Sequence, residues 1–455
     1  MKYAPYPQYA KLDSHYLQEI PDTWHPIRLR FVIHSNPVKS EISSLPSDTL
    51  VSFVPMEAVS ENGVMSLEKE KNLEDVYSGY TYFRNDDVVI AKITPCFENG
   101  KGAIASQLTN GLGFGTTEFH VLRTIEGTDQ HWLFYLTKTD TFRRFGESEM
   151  YGAGGQKRVP DSFIKNFVVG FPLFQEQKQI VNFLDYKTAQ LDRLIEKKKQ
   201  LIEKLNEKRI AVITQAVTKG LDPSVPMKDS GVDWLGEIPI HWEVRRIKLL
   251  AIEPLKYGAN EPAQLDDRDY PRYIRITDVM EDGSLHDDTF RSLEPEIAEP
   301  YLLEDGDILL ARSGATVGKS FIYEKSWGAA AYAGYLIRFR IDPKAILAEF
   351  AYFFLRSTSY WANINSTLIQ STIQNFSAEK YGNIVMPLPL LAEQNKILAF
   401  IRKEISIINK SESLAANAIE RLAEYRTALI TAAVTGKIDV RGVQIPNGET
   451  TNYVC

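Results

Sequence analysis

Two long stretches of the chain carry apolar residues at alternating three- and four-residue steps. From Gln175 to Thr218 there is no Gly or Pro, and Ile180, Leu184, Leu191, Leu194, Leu201, Leu205 and Val212 fall on one stripe, with Lys187, Lys198 and Lys208 between them. The same register later gives Ile397, Ile401, Ile408, Ala415, Ala418, Leu422, Leu429 and Ala432. Small Ala side chains then face larger ones, so the pattern predicts a close antiparallel coil of two helices, each roughly 65 Å long at about 1.5 Å per residue. Outside these stretches the pattern is mixed. Runs such as LVSFVPM, YIRIT and GYLIRFRI, broken by Gly, Asp and Pro, predict strands, while WLFYLTKTDTFRRF and FAYFFLRSTSYW predict helices. The fold class expected is α+β.

The pattern also repeats. Ile20, Pro21 and Trp24 recur as Ile238, Pro239 and Trp242, a shift of 218, and upstream YLQEIP is echoed by WLGEIP. DDVVIAKITPCFENGKGAIA at Asp86 resembles GDILLARSGATVGKSFIY at Gly306, each reading as strand, turn and strand. FPLFQEQKQIVNFL at Phe171 matches LPLLAEQNKILAFI at Leu388, and RIAVITQAVTKG at Arg209 matches RTALITAAVTGK at Arg426, both shifted by 217. The predicted order is a globular part (1–172), a helical region (173–219), a linker (220–237), a second globular part (238–388), a second helical region (389–437) and a tail (438–455). Two prolines and two glycines in GLDPSVPMKDSGVDW make the linker an exposed connector, and the tail is expected to be loosely held.

A length of 455 residues with 44% hydrophobic content suffices for more than one core. No apolar run reaches the ~18 residues of a membrane span, and MKYAPYPQYAKLDSHY lacks a basic start followed by an apolar core, so a cytoplasmic protein with no membrane association is expected. Two cysteines, Cys96 and Cys455, cannot build a disulfide framework or a Cys-rich zinc site. The net charge of −7, with neither globular part basic overall, argues against a protein that coats nucleic acid through bulk charge. A DNA face must then be a local patch.

The seven histidines show no metal-ligand spacing, and no nucleophile elbow, dinucleotide fingerprint or kinase signature is present. GATVGKS at Gly314 is one residue short of a phosphate-binding loop, and the following FIYEKSWG reads as a strand rather than a helix. It is better read as a hairpin displaying Arg312, Ser313, Thr316 and Lys319, whose repeat mate displays Lys92, Thr94, Asn99 and Lys101. A second pair of loops, GAGGQKRVP with Gln156, Lys157 and Arg158, and QSTIQNFS with Ser371, Thr372 and Gln374, precedes the long helices. Arg and Gln can make bidentate contacts to guanine and adenine, and such tips suit phosphates and base edges. For any one residue, an ordinary surface turn is the plainer explanation. The run Lys197, Lys198 and Lys199 reads as a solvated helix face.

WLGEIPIHWEVRRIK at Trp234, ARSGATVGK at Ala311, PLPLLAEQNKI at Pro387 and RTALITAAVTGKIDV at Arg426, each with a partner in the first half, resemble the DNA-specificity subunit of type I restriction-modification systems. The resemblance covers essentially the whole chain. It implies two α/β target-recognition domains arranged as a pseudo-two-fold tandem repeat, separated by two long helices that form an antiparallel coiled coil. It implies a non-catalytic chain without a cofactor of its own. Double-stranded DNA with a bipartite target is the implied ligand, and two modification (methyltransferase) subunits and the restriction (translocase and endonuclease) subunits are the implied partners. S-adenosylmethionine is then expected on the modification subunits, which methylate adenine, and ATP and Mg on the restriction subunits. The chain has no NPPY-type adenine methyltransferase motif. Carried over by position, the implied DNA-binding residues are Arg312, Ser313, Gly314, Thr316, Lys319, Ser371, Thr372 and Gln374 in the second domain, and Lys92, Thr94, Lys101, Gln156, Lys157 and Arg158 in the first. The first copy departs from the family's pattern at FPLFQEQ and ITPCFENGKG. Two other readings stay open: a protein–protein adaptor with a coiled-coil spacer and no reading of DNA, and a nucleotide-binding enzyme using Gly314 to Ser320.

Overall fold

The computed structural model describes residues 3–153, 155–280, 283–369 and 375–446. They form two compact units, residues 1–199 with 417–455, and residues 200–416. None of the described helices is long and apolar enough to cross a membrane.

In the first unit the strands are β1 (Tyr9–Lys11), β2 (Glu19–Pro21), β3 (His25–Arg28), β4 (Ile33–Ser35), β5 (Leu50–Val54), β6 (Glu70–Asn72), β7 (Thr81–Arg84), β8 (Val88–Ala91), β9 (Gly102–Ile104), β10 (Leu112–Gly115), β11 (Phe119–Thr124) and β12 (Val168–Phe171). Helices α1 (Leu73–Tyr77), α2 (Gln130–Lys138), α3 (Asp140–Ser148) and α4 (Asp161–Asn166) join them, and α5 (Phe174–Lys219) begins here. One four-stranded sheet runs β4-β11-β8-β9 and a second runs β6-β5-β10-β7. All four residues of β8 are buried, which is why VVIA reads as an unbroken apolar run rather than an alternating one.

The second unit reuses the plan. It holds β13 (Met227–Asp229), β14 (Glu237–Pro239), β15 (Glu243–Arg246), β16 (Lys256–Tyr257), β17 (Arg272–Ile274), β18 (Ile308–Ala311), β19 (Ser320–Ile322), β20 (Ala330–Tyr332), β21 (Leu336–Phe339) and β22 (Val385–Leu388). Its helices are α6 (Pro295–Ala298), α7 (Ala348–Phe354), α8 (Thr358–Ile369), α9 (Ala378–Asn383) and the start of α10 (Leu391–Val434). The sheet β16-β21-β18-β19 corresponds to β4-β11-β8-β9, whereas only the parallel pair β17-β20 stands where the first unit has a second four-stranded sheet.

The repeated motifs build this frame. Trp24 and Trp242 are buried, and their indole N–H groups donate to Glu176 at 3.1 Å and to Glu393 at 3.0 Å, in the first turns of α5 and α10. The next residue, Gln177 or Gln394, has no exposed surface at all. Gln177 accepts from the Asp129 N–H at 2.8 Å and donates to the carbonyls of Gly127 at 3.1 Å and Pro172 at 3.0 Å. Gln394 accepts from the Leu347 N–H at 2.8 Å and donates to Pro389 at 2.8 Å and Ala345 at 3.4 Å. Gln177→Ala leaves one buried N–H and two carbonyls without partners, so the first unit is expected to lose about 2–4 kcal/mol in chemical denaturation. Gln394→Ala is expected to do the same to the second unit.

Each unit is also closed by the far end of the other long helix. Ile180, Leu184 and Leu191 of α5 share the first unit's core with Leu429, Ile430, Ala433 and Val434 of α10, and Arg426 pairs with Asp192 at 3.0 Å. In the second unit Ile213, Ala216 and Val217 share a core with Ile397, Leu398 and Ile401, and Arg209 pairs with Glu412. The two helices are therefore antiparallel within each unit. Thr431 accepts from the N–H of Asp140 at 3.0 Å, and Thr214 from that of Thr358 at 3.0 Å, so each hydroxyl caps the first turn of α3 or α8. Gly220 and Gly436 end the helices at φ of 76° and 73°, a left-handed conformation that a Cβ resists.

The structure differs from the sequence-based expectation in three respects. The buried stripe continues from Leu191 to Ile213, where strict seven-residue spacing leads to Val212, and Leu194 and Leu201 are 46% and 40% exposed. A straight helix drifts in this way from a heptad. WLFYLTKTDTFRRF is two helices, because Thr139 is extended and its hydroxyl accepts from the Phe142 N–H at the start of α3, and FAYFFLRSTSYW is likewise divided between α7 and α8. The tail is held as far as residue 446: Val440 is 2% exposed and the Asp439 N–H donates to Ala4 at 2.8 Å.

Candidate nucleic-acid interface

In both units the central buried strand, β8 or β18, runs out into a position gripped by backbone on two sides. The Lys92 N–H donates to Glu118 at 2.9 Å, and the Lys92 carbonyl accepts from Val159 at 2.8 Å. At the matching place the Arg312 N–H donates to Tyr335 at 3.0 Å, and its carbonyl accepts from Phe376 at 2.8 Å. One residue on, Ile93 bridges to Arg158 and Ser313 to Asn375. The hairpin and the loop before the long helix, separate in sequence, are thus one structure in each unit. Strand register brings together residues 92, 118 and 158 in the first unit and 312, 335 and 375 in the second.

In the first unit Arg158 grips Glu118 with two hydrogen bonds, Nε to Oε2 at 2.9 Å and Nη2 to Oε1 at 2.8 Å, and the bonded guanidinium holds the Glu118 carboxyl below the usual carboxylate range. Arg158 is therefore a fixed, partnered cation rather than the free one the sequence suggests. Thr94 donates its hydroxyl to the Lys157 carbonyl at 3.3 Å, which ties the hairpin to the loop instead of displaying the group. Gln156 and Lys157 are exposed, and Lys92 and Lys101 are half-buried. A cleft of about 410 Å³ opens beside them, lined among others by Asn36, Tyr82, His120 and Tyr151. His120 Nε2 lies 2.9 Å from the Val159 carbonyl and so carries the proton, leaving Nδ1 to accept from Asn36 at 3.3 Å, and burial pushes its pKa down. Below the hairpin, the buried Lys138 ammonium donates to the carbonyls of Glu61, Gly100 and Gly102, and burial with Arg426 and Arg143 nearby pushes its pKa down to about 7.

In the second unit the Arg312 guanidinium lies over the Tyr257 ring, 4.6 Å from its centroid, and donates a long hydrogen bond to the Gly334 carbonyl at 3.4 Å. Arg312 Nε and Asn375 Oδ1 are both buried without a hydrogen-bond partner. Gly314 and Lys319 are exposed, Ser313 is half-buried, and Thr316 returns its hydroxyl to the Ser313 carbonyl at 3.3 Å. GATVGKS forms a short 3-10 turn leading into β19, which pairs with β18, so no helix follows to hold a phosphate. Ser371, Thr372 and Gln374 lie outside the described residues.

Sequence reasoning missed Glu118, Tyr335, Asn375, Tyr257 and Tyr151. Tyr335 is 67% and Tyr151 64% exposed, and no periodicity in the sequence sets either ring apart from a core aromatic. Among the described residues no group of three or more His, Cys, Asp or Glu could hold a metal ion.

The duplicated fold thus offers the same strand-end arrangement twice, furnished with different side chains. The family model described as "Type I restriction modification DNA specificity domain" matches residues 50–206 and 239–421. The chain belongs to this family. It is 42% identical to the type I restriction enzyme EcoAI specificity subunit of Escherichia coli over 182 residues, 40% of this chain and 30% of that protein. The chain thus aligns with under a third of that relative's length. It is 25% identical to the Escherichia coli EcoEI specificity subunit over 499 aligned positions, 91% of this chain and 83% of that one. A chain solved in work on assembly and conformational transition of the type I R-M system shares the fold with a TM-score of 0.71 at 17% identity, covering 92% of this chain and 99% of that one.

Proposed function

We propose that this chain is the sequence-reading subunit of a type I restriction-modification complex. Residues 1–172 read one half of a bipartite DNA target and residues 238–388 the other. The helical regions 173–219 and 389–437 set the unread gap and dock two modification subunits, residues 220–237 link the halves, and 438–455 form the tail. The chemistry comes from the partners, with S-adenosylmethionine and adenine methylation on the modification subunits and ATP and Mg on the restriction subunits. The observation that carries this reading is the pairing of one strand-end site in each unit, held by the same backbone hydrogen bonds but furnished with different side chains. A scaffold that is kept while its tip residues change is what reading two unlike half-sites requires. The contact residues are drawn from Lys92, Thr94, Lys101, Gln156, Lys157 and Arg158 in one unit and Arg312, Ser313, Gly314, Thr316, Lys319, Ser371, Thr372 and Gln374 in the other.

The test is co-expression with its modification subunit, addition of S-adenosylmethionine and mapping of methylated adenines across a bacterial genome. Two short fixed halves around a constant gap are expected. A complex that assembles but methylates nothing leaves a protein–protein adaptor as the better description.

A further inference from the structure

The two strand-end clusters differ in sequence, yet each offers a restrained guanidinium beside an acceptor oxygen. In the first unit Arg158 spends Nε and one N–H of Nη2 on Glu118 and one N–H of Nη1 on the Gln156 carbonyl at 3.3 Å. One N–H on each Nη is left, side by side, and both Glu118 oxygens keep lone pairs. Glu118 and Arg158 keep 23% and 36% of their side-chain surface exposed, so the pair is reachable from solvent. In the second unit Arg312 is flattened on Tyr257 with Nε unpartnered, and the unpartnered acceptor is Asn375 Oδ1, one ladder step away through the Ser313–Asn375 bridge. A buried donor and a buried acceptor left open at one place are costly unless a ligand completes them.

The major-groove edge of a G·C pair presents the complement: two acceptors on guanine, N7 and O6, and one donor on cytosine, N4. An A·T pair offers no such pair of adjacent acceptors on its purine. We propose that residues 92, 118 and 158 in the first unit and 312, 335 and 375 in the second are the base-reading positions, and that each cluster selects a G·C pair. Arg158 and Arg312 take guanine, Glu118 and Asn375 take the cytosine amino group, and the exposed ring of Tyr335 flanks the second site. Glu118 acts on both partners, since it fixes the plane of Arg158 and accepts from cytosine. The inference rests on the proposed role in reading a bipartite target.

Genome-wide methylation mapping of the assembled complex tests both levels separately. The unaltered chain is expected to give a motif with at least one G·C pair in each half, and a half made only of A·T pairs overturns the inference while the reading role stands. Arg312→Gln is expected to lower the preference for guanine at one position of one half-site by about tenfold or more, leaving the other half unchanged. Arg158→Gln is expected to do the same in the opposite half. Where a Gln variant fails to assemble with the modification subunit, Arg312→Met keeps an unbranched apolar stem against Tyr257 but removes every donor, and loss of guanine preference is again expected. An unchanged motif in the Met variant, or in both Gln variants, overturns the inference. Failure of the unaltered complex to leave any two-part motif instead overturns the reading role itself.

Discussion

Replacing residues 1–172 with the matching segment of a relative that reads another target is expected to change one half of the methylated sequence completely and leave the other half and the gap as they were. The expectation rests on how separately the units are built. The first unit has its own cores around Trp132, Phe119 and Phe114, and the second has its own around Phe350, Tyr332 and Tyr273. The replaced segment meets the retained helices through a shared apolar core, which joins Trp24, Trp132, Tyr135 and Leu136 to Ile180, Leu184, Leu429 and Ile430, and through a short set of polar contacts. Tyr6 and Trp24 bond to Glu176, Asp129 bonds to Gln177, Tyr135 bonds to Asp185 at 2.7 Å, and Asp140 is capped by Thr431. A donor segment that keeps these groups can dock without disturbing residues 312, 335 and 375. Each wrong base pair costs about 1–3 kcal/mol, roughly additively. A half-site altered at a few positions therefore falls out of detection, and the original half should vanish from the methylation map. A change in both halves sinks the modular reading.

The parts of the chain that were legible in sequence are the parts that make the frame. Glu176 and Gln177, with Glu393 and Gln394, stand out because they recur in step, and they recur because the same indole, the same loop N–H and the same carbonyls need them in each unit. The apolar stripe was visible for the same reason, since a helix repeats its buried face over many turns. The base-facing positions have no such signature. Residues 92, 118 and 158 come from three distant segments: the register that sets Phe119 opposite Ala91 joins 92 to 118, and the Ile93–Arg158 bridge brings in 158. Arg158 could be picked out as a base-reading type, but its bond to Glu118 could not. Arg312 was legible as the residue before a Gly-rich turn, whereas the ring of Tyr257 beneath it, more than fifty residues earlier, was not. The sequence also does not show that Thr94 and Thr316 turn their hydroxyl protons to nearby backbone carbonyls, as a hydroxyl in a turn often does.

Deleting seven residues from each long helix, 198–204 and 414–420, is expected to shorten the tolerated gap between half-sites while both halves keep their sequence. Helix α5 (Phe174–Lys219) and helix α10 (Leu391–Val434) each contribute residues to both units. Seven helical residues account for about 10 Å at about 1.5 Å each, which matches about three base pairs at about 3.4 Å per step. The helices tolerate this change well, because seven residues fall only about 20° short of two full turns and the apolar stripe stays nearly in phase. The ion pairs Asp192–Arg426 and Arg209–Glu412 lie outside the deleted segments, and within them Leu201 and Leu414 are 40% and 62% exposed while Ala415, a small side chain, is buried, so the loss of core is limited to small contacts. DNA is less forgiving, since three base pairs turn the duplex by about 100° at about 10.5 base pairs per turn. The new gap should be accepted where the duplex can twist to restore the phase, and methylation at it should be weaker than at the original gap in the unaltered chain. An unchanged gap rejects a ruler role for the helices. It would place the spacing between half-sites in the modification subunits, which would then hold the two reading units in a geometry that helix length does not control.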